Sequence, residues 1–201
     1  IERFAIFRTN QGTNEHLKKE LDLNQLKSFQ SGYTNGIINK KPVTKRGGHV
    51  FLEIKSKNRI INCAIYAPSI ALKKAARKLE KGDSVEVGGG IRRKSKKYKR
   101  ILNAEYIKIN NLVQKIIIKN PICKKCQKTM KSIGYEKGFK CKKCSIRTKE
   151  SKKKTIKREI KLGLYLPIPS SQRHLTKPIN RYGKENHKMK NKPKGVWFKV
   201  F

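Results

Sequence analysis

Short runs in which apolar and polar positions alternate make up residues 31–109. In the second run, Val50, Leu52 and Ile54 occupy alternate positions, which is the pattern of a half-buried strand. After the third run the apolar spacing becomes helical over residues 70–79, with Ser69 at the N-cap position. The strands predicted in this way cover residues 32–38, 49–56, 59–66, 84–91 and 101–109.

The order strand–strand–strand–helix–strand–strand is that of an OB-fold, a small Greek-key barrel whose known members bind oligonucleotides. The predicted fold class is therefore mainly β, with a five-stranded, one-helix barrel. Cys63 lies on the third strand and is predicted to be a small buried residue. Gly88-Gly89-Gly90 lacks the Gly-Lys-Ser/Thr and the following helix of a phosphate-binding loop, so we interpret it as a strand bend or bulge.

Both ends of the chain carry weaker patterns. Residues 3–9 alternate like a strand and residues 14–29 carry a loose helical stripe, but this piece is too short to bury a core of its own. Residues 149–161 are densely basic, and we interpret them as an exposed helix. Residues 162–201 are rich in Pro, Lys and Asn, which predicts a mostly irregular arm that is ordered only where it docks.

Four of the five cysteines form two Cys-x-x-Cys pairs, Cys123/Cys126 and Cys141/Cys144, with fourteen residues between the pairs. Each pair lets one tight turn present two sulfurs to an ion, and two such turns complete a tetrahedral thiolate site. The spacing predicts a zinc ribbon whose structural zinc has no open position for a substrate. In so small a module, zinc should supply on the order of 10 kcal/mol of the folding free energy. A thiol oxidoreductase is disfavoured because no βαβ pattern surrounds either pair.

The 201 residues include 52 Lys and Arg against 13 Asp and Glu, a net charge of +39. Self-repulsion of this size indicates a polyanionic partner. No apolar run approaches the roughly 18 residues of a membrane span, so we expect a cytoplasmic protein with no membrane partner. The four histidines are scattered, and neither a nucleophile elbow nor paired carboxylates occur, so no catalytic residue is predicted.

The two long barrel connections, residues 39–48 and 92–100, are the loops with which an OB-fold holds nucleic acid, and both are cationic. Lysines beside the cysteine pairs lower the electrostatic cost of a doubly negative zinc site and can also face phosphate. The residues predicted to contact RNA are Lys40, Lys41, Lys45, Arg46, Arg92, Arg93, Lys94, Lys96, Lys97, Tyr98, Lys99, Arg100, Lys124, Lys125, Lys142 and Lys143. Among them, Tyr98 adds a face on which a base can stack.

Further motifs, taken as an ordered set, cover nearly the whole chain. They are Thr9-Asn10-Gln11-Gly12-Thr13-Asn14-Glu15-His16-Leu17, Gly47-Gly48-His49-Val50, Ala67-Pro68, Asn120-Pro121 with Cys123, Met130, Ser132, Gly134, Gly138-Phe139 and Cys141, and Gly163, Tyr165, Pro167, Arg173-His174-Leu175, Lys177-Pro178 and Arg181. This set resembles archaeal tRNA(Ile) 2-agmatinylcytidine synthetase. The chain departs from a usual ribbon at Gln127 and Ser145, where a knuckle normally has glycine, and this departure bears on knuckle geometry and zinc affinity.

The resemblance implies an enzyme that uses ATP to activate the C2 oxygen of the wobble cytidine of tRNA(Ile). Agmatine then replaces that oxygen, and codon reading changes from methionine to isoleucine. It also implies that an ATP-handling domain and most of a ferredoxin-like domain lie upstream, so this chain alone is expected to bind tRNA(Ile) but not ATP or agmatine. The implied organisation is the end of the ferredoxin-like domain at 1–30, the OB-fold at 31–119, the zinc ribbon at 120–147 and a basic C-terminal extension at 148–201.

The alternative is a non-enzymatic OB and zinc-ribbon protein that binds single-stranded or ribosomal RNA. It explains the charge, the loops and the zinc equally well, and DNA is expected as a partner in neither case. A single-strand binder should prefer an unstructured oligonucleotide. The ligase fragment should prefer tRNA with a paired acceptor stem, recognised by its shape and its 2′-hydroxyls.

Overall fold

A computed structural model describes residues 9–66, 68–94 and 99–184. All five predicted barrel strands and the helix are present, in the predicted order. They are β1 Ser31–Thr44, β2 Val50–Ser56, β3 Arg59–Ile65, α1 Ile70–Arg77, β4 Ser84–Ile91 and β5 Ile101–Asn111. Among the described residues, no helix has the length and apolar character needed to cross a membrane.

The barrel closes because β5 pairs with two strands that are otherwise far apart in the sheet. β1 is antiparallel to both β2 and β4, and β2 is antiparallel to β3. β5 then pairs antiparallel with β4 and parallel with β3. This is the strand order of an OB-fold, so the predicted fold class is confirmed.

Alternate residues of the strands fill the barrel. Val50, Leu52 and Ile54 are at most 1% exposed, as their spacing predicted. Cys63 is fully buried, and burial raises the pKa of its thiol, which confirms it as a small core residue. The largest fully buried side chains are Ile38, Leu52, Ile54, Ile65, Leu72, Leu79, Leu102, Ile107, Ile109, Val50, Val85 and Val87.

The glycines of β4 allow the opposite strand to approach closely. A Cβ on Gly88 would lie 2.1 Å from Cε1 of Tyr106, and one on Gly89 would lie 1.9 Å from the carbonyl oxygen of Asn103. The pairing of β4 with β5 also shifts register between Gly88 and Gly89. The interpretation as a bulge is therefore confirmed, since only glycine leaves room for these contacts.

The first barrel connection is shorter than predicted. Residues 39–44, expected in a loop, continue β1 and pair with β2. Two register shifts fall between Ile38 and Lys40 and between Lys40 and Val43. Pro42 lies inside the second shift, where a proline without an N–H is tolerated because the ladder is already interrupted. The remaining turn is closed by a hydrogen bond from the Lys45 N–H to the His49 carbonyl, 2.9 Å long.

After β5 the chain forms an antiparallel pair, β6 Lys115–Lys119 and β10 Lys152–Ile156. The prediction of a helix over 149–161 is thus wrong. Its residues pair with a run of three isoleucines, Ile116 to Ile118, and the β-branched Thr155 and Ile156 suit that extended pairing. Between the two strands lie β7 Lys131–Ser132, β8 Phe139–Lys140 and β9 Arg147–Thr148.

Residues 14–29 form a short 3-10 helix, Glu15–Leu17, and otherwise turns and bends, rather than the predicted helix. Leu17 and Leu21 are nevertheless 4% exposed. Asn14 and Phe29, at the two ends of the segment, adopt φ values of 56° and 66°, which no α-helix contains. The stripe marks Leu17 and Leu21 correctly as buried, but Phe29 is 77% exposed, and contacts with the barrel replace helical hydrogen bonds. The predicted strand over 3–9 falls almost entirely on residues outside those described.

The C-terminal extension has few regular elements, as predicted, but it packs along the barrel and the N-terminal segment. β11 Gly163–Tyr165 pairs antiparallel with β5. The backbone N–H groups of Gly12 and Asn14 donate to carbonyls of His174 and Leu175, each at 2.9 Å. Two short 3-10 helices, Pro169–Ser171 and Ile179–Arg181, complete the extension.

A buried glutamate on β5 joins the two terminal segments. Glu105 Oε2 lies 2.9 Å from Nε2 of His16, and Glu105 Oε1 lies 3.2 Å from Nη1 of Arg173. His16, which the sequence marked as a packing or surface residue, thus packs against the barrel with a carboxylate partner. The N-terminal segment, the barrel and the C-terminal extension meet at this carboxylate.

A buried ion pair links the segment that follows β10 to the barrel. Asp83 is fully buried and its carboxylate accepts two hydrogen bonds from Arg158, of 2.8 and 2.6 Å. It also accepts the backbone N–H groups of Glu80 at 2.8 Å and Val113 at 2.9 Å. Burial by itself raises the pKa of Asp83, but the Arg158 hydrogen bonds and those from the two backbone amides outweigh it, so the pKa lies below its ordinary value.

Replacing Arg158 by alanine should lower the free energy of unfolding by about 3–5 kcal/mol, because the buried carboxylate of Asp83 then has no cationic partner. Urea denaturation followed by circular dichroism measures this loss. Since the folded-state pKa of Asp83 is depressed, the stabilisation is present above its unfolded pKa of about 3.9 and is lost as pH falls through the folded value. The difference between the native protein and the variant should therefore shrink in acid.

Lys18→Ala is the matched control, because Lys18 forms an exposed ion pair with Glu15. Exposed pairs contribute about 0–1 kcal/mol, so this variant should unfold almost like the native protein. Equal losses in the two variants would contradict the role given to Arg158.

Candidate metal centre and nucleic-acid interface

The four paired cysteines come together next to the small three-stranded sheet β7–β8–β9, whose strand β8 leads directly into Cys141. Cys123, Met130 and Cys141 are at most 2% exposed and form a cluster of their own, against which Phe139 packs. The chain between the two cysteine pairs forms an antiparallel hairpin, with β7 and β8 as its strands. This cluster shares no residue with the barrel core.

The sulfurs of Cys123, Cys126, Cys141 and Cys144 all lie within 4.8 Å of one another. Tetrahedral zinc with Zn–S bonds of about 2.3 Å requires sulfurs about 3.8 Å apart. The separation between Sγ of Cys126 and Sγ of Cys141, 3.5 Å, is close to that value. Four thiolate donors around one point fit structural zinc, and they leave no coordination position for a substrate.

The two knuckles have the same geometry. The N–H of Gln127 donates to the Cys123 carbonyl, and the N–H of Ser145 donates to the Cys141 carbonyl, each at 2.9 Å. Gln127 and Ser145 both adopt φ 55°, the left-handed region in which glycine is usual. The departure from the usual knuckle is thus accommodated without a change of geometry, at the cost of backbone strain at two positions.

Backbone hydrogen bonding favours the thiolate of Cys141, and surface charge favours thiolates at the cluster as a whole. The N–H of Cys144 donates to Sγ of Cys141 at 3.4 Å, and this bond is the main cause that lowers the pKa of Cys141 to about 6. Hydrogen bonding with Cys126 instead raises the pKa of Cys144 to about 12, so the sulfurs share protons until a cation replaces them. The neighbouring lysines are exposed and add positive potential around the sulfurs: Lys124, Lys125, Lys142 and Lys143. A doubly negative zinc–tetrathiolate group is stabilised by such surroundings.

Lys131, which lies on β7 beside Lys142, was not among the residues predicted from the sequence. Hydrogen bonding and repulsion from Lys142 lower the pKa of Lys131. The two residues are 11 positions apart in the sequence (142 − 131), and the folding of the ribbon brings them together. Like charges held side by side on a surface favour an anionic partner that relieves the repulsion.

On the barrel, the predicted RNA-contacting residues fall into two groups. Lys40 and Lys41 have carboxylate partners, Glu53 at 3.3 Å and Glu80 at 3.8 Å. The side chains at the loop ends are exposed: Lys45, Arg46, Arg92, Arg93, Lys94, Lys99 and Arg100. Of these, Lys45 lies over the ring of Phe51, 4.7 Å from its centre. Lys96, Lys97 and Tyr98 lie outside the described residues.

The fold and the site define a closed OB-fold barrel joined to a four-cysteine zinc ribbon. Residues 120–160 match the family described as "TiaS C-terminal zinc ribbon domain". The tRNA 2-agmatinylcytidine synthetase TiaS of Cenarchaeum symbiosum is 42% identical over 92% of this chain and 41% of its own length. The synthetase of Archaeoglobus fulgidus is 37% identical over 92% of this chain and 43% of its own length.

Solved structures give the same result. A crystal structure of apo TiaS, 35% identical, has a TM-score of 0.67 and covers 87% of this chain and 40% of its own. A complex of TiaS with its isoleucine tRNA and ATP, 33% identical, has a TM-score of 0.70 over 86% of this chain and 39% of its own. The resemblance inferred from the motifs is confirmed: the chain is homologous to part of the tRNA(Ile) 2-agmatinylcytidine synthetases. It spans about two fifths of the length of these relatives.

Removing zinc with a chelator should unfold residues 120–148 and leave the barrel folded, because the ribbon and the barrel bury separate cores. Two-dimensional amide NMR spectra should lose dispersion for the ribbon alone and regain it when zinc is returned. Collapse of the barrel signals together with those of the ribbon would contradict this independence.

Replacing Gln127 by glycine should raise zinc affinity roughly fivefold, because it relieves about 1 kcal/mol of left-handed backbone strain. Competition with a chromophoric chelator measures the change. Ser132→Gly is the matched control, since Ser132 lies in the extended strand β7 and has no such strain. An equal gain in both variants, or none in Gln127→Gly, would refute the explanation.

Proposed function

We propose that this chain is the tRNA-holding part of an ATP-dependent ligase that joins agmatine to C2 of the wobble cytidine of tRNA(Ile), changing codon reading from methionine to isoleucine. The observation that carries the proposal is the continuous similarity, 42% identity over 92% of the chain, to a synthetase named for this product. The family match at residues 120–160 supports it independently of the barrel.

The charge distribution supports RNA as the ligand. A net charge of +39 combines with a pair of adjacent lysines on the ribbon and exposed cations at both barrel loops. A phosphate backbone neutralises such charge and releases counterions, so binding is expected to be strongest at low salt. A solved relative is a complex with an isoleucine tRNA and ATP, and another contains AMPCPP and agmatine.

We infer that the chemical step needs residues beyond these 201. The zinc site is closed by four sulfurs, and the sequence contains no Gly-Lys-Ser/Thr phosphate loop. The relatives are more than twice as long as the matched region. The chain by itself should therefore bind tRNA without modifying it, and residues 1–30 are proposed to end a ferredoxin-like domain.

The test is binding of an unmodified tRNA(Ile) transcript by fluorescence anisotropy over a range of salt concentrations. The dissociation constant should rise steeply with salt, and each phosphate contact should add about 0.7–0.9 to the log–log slope. A single-stranded oligonucleotide of equal length should bind more weakly. Tighter binding of the single strand would support the non-enzymatic alternative, and a flat salt response would contradict both.

Paired substitutions sharpen the same experiment. Lys99→Gln with Arg100→Gln removes two exposed cations and should lower the slope by up to about 1.8. Lys40→Gln with Lys41→Gln is the matched control, because these lysines already have carboxylate partners and should change the slope less. A larger effect of the control pair would overturn the assignment of the loop as the phosphate contact.

A further inference from the structure

Phe29 combines exposure with backbone strain. It lies between the irregular N-terminal segment and β1, its side chain is 77% exposed, and its φ is 66°. Bulky residues are unfavourable in the left-handed region, where glycine or asparagine is usual. Burial does not offset the strain, because the ring projects into water. The positive φ belongs to the third residue of the Lys27–Gln30 turn, which is closed by a hydrogen bond of 3.4 Å from the Gln30 N–H to the Lys27 carbonyl. Glycine or asparagine would satisfy that turn, and core packing does not explain the phenylalanine ring.

Hydrogen bonds on both sides fix this conformation. The N–H of Phe29 donates to the Ile91 carbonyl at 2.9 Å, and the N–H of Ile91 donates to the Gln30 carbonyl at 2.7 Å. The end of β4 is thus hydrogen-bonded to the backbone on both sides of the Phe29 Cα. Strained residues held by their surroundings in this way cluster at ligand-contacting positions.

The surroundings of Phe29 are cationic. Ile91 is the last residue of β4, where the second long barrel connection begins. The N–H of Lys94 donates to Oγ of Ser28 at 3.4 Å, which brings Lys94, at the start of that connection, beside the residue that precedes Phe29. Lys27, Arg93 and Lys94 are all exposed. A solvated aromatic ring among cations is the composition of sites that stack bases and hold phosphates.

We propose that Phe29 is a stacking platform for an unpaired base of bound RNA, next to phosphate contacts from the start of the β4–β5 connection. The assignment rests on the proposed RNA-binding function and adds to it a residue outside the cationic set. Because every base has a π-face, this contact contributes affinity without selecting a particular base. The rigid backbone keeps the ring exposed before RNA arrives, so little ordering is required on binding.

The test compares tRNA(Ile) transcript binding and thermal stability for native protein, Phe29→Gly, Phe29→Leu and Phe29→Tyr. Phe29→Gly should weaken binding about tenfold through loss of the ring, yet raise the melting temperature because glycine accepts this φ without strain. Phe29→Leu keeps an apolar side chain without a π-face and should also bind weakly. Phe29→Tyr restores the ring and should restore binding.

The salt slope separates stacking from charge. It should be unchanged in Phe29→Gly, whereas Arg93→Gln should lower it by about 0.7–0.9 per lost phosphate contact. Native-like affinity of Phe29→Gly, or a lowered slope in that variant, would overturn the stacking role while leaving RNA binding intact. Failure of the native protein to bind the transcript would instead overturn the proposed function.

Discussion

The buried Asp83–Arg158 pair is the contact on which the arrangement of the modules depends. Asp83 accepts the N–H of Val113, where the chain leaves the barrel, and Arg158 donates to the Val113 carbonyl at 2.8 Å as the chain returns. One carboxylate thus fixes both ends of the segment that carries the zinc ribbon. The ribbon has only a small cluster of its own, so zinc holds it together and this ion pair positions its base.

The barrel and the clustering of the four cysteines were predictable because their signals are local. A half-buried strand shows period-two alternation within a few residues, and Val50, Leu52 and Ile54 display it. Two Cys-x-x-Cys pairs likewise encode a knuckle each, and the structure brings all four sulfurs within 4.8 Å. The predicted boundaries of β4 agree with the structure at both ends, since Gly82-Asp83 marks its start and the loop lysines follow its end.

The errors arose where a distant segment decides the conformation. Residues 149–161 read as a basic helix, yet β10 is extended because β6, more than thirty positions earlier, supplies a strand to pair with. The stripe over 14–29 marked Leu17 and Leu21 as buried, but barrel contacts override the helix. Phe29 belongs to the same stripe, yet its side chain is 77% exposed and its backbone is left-handed, because hydrogen bonds to the end of β4 fix the chain there.

The net charge of the chain does not show where a polyanion binds. The positions at which carboxylates neutralise individual cations do bear on that question. The few acidic side chains neutralise particular cations. Oε1 of Glu80 lies 2.7 Å from Nζ of Lys115 and 3.8 Å from Nζ of Lys41, and Asp83 forms an ion pair with Arg158. Hydrogen bonding from Lys115 keeps the pKa of Glu80 below its ordinary value, so it stays ionised. Carboxylates therefore neutralise the cations around Glu80 and Asp83, namely Lys115, Lys41 and Arg158, whereas Lys131 and Lys142 of the ribbon lie beside each other and repel. A polyanion gains little at cations that carboxylates already neutralise, so the cations around Glu80 and Asp83 are the less favourable contacts for the proposed RNA ligand.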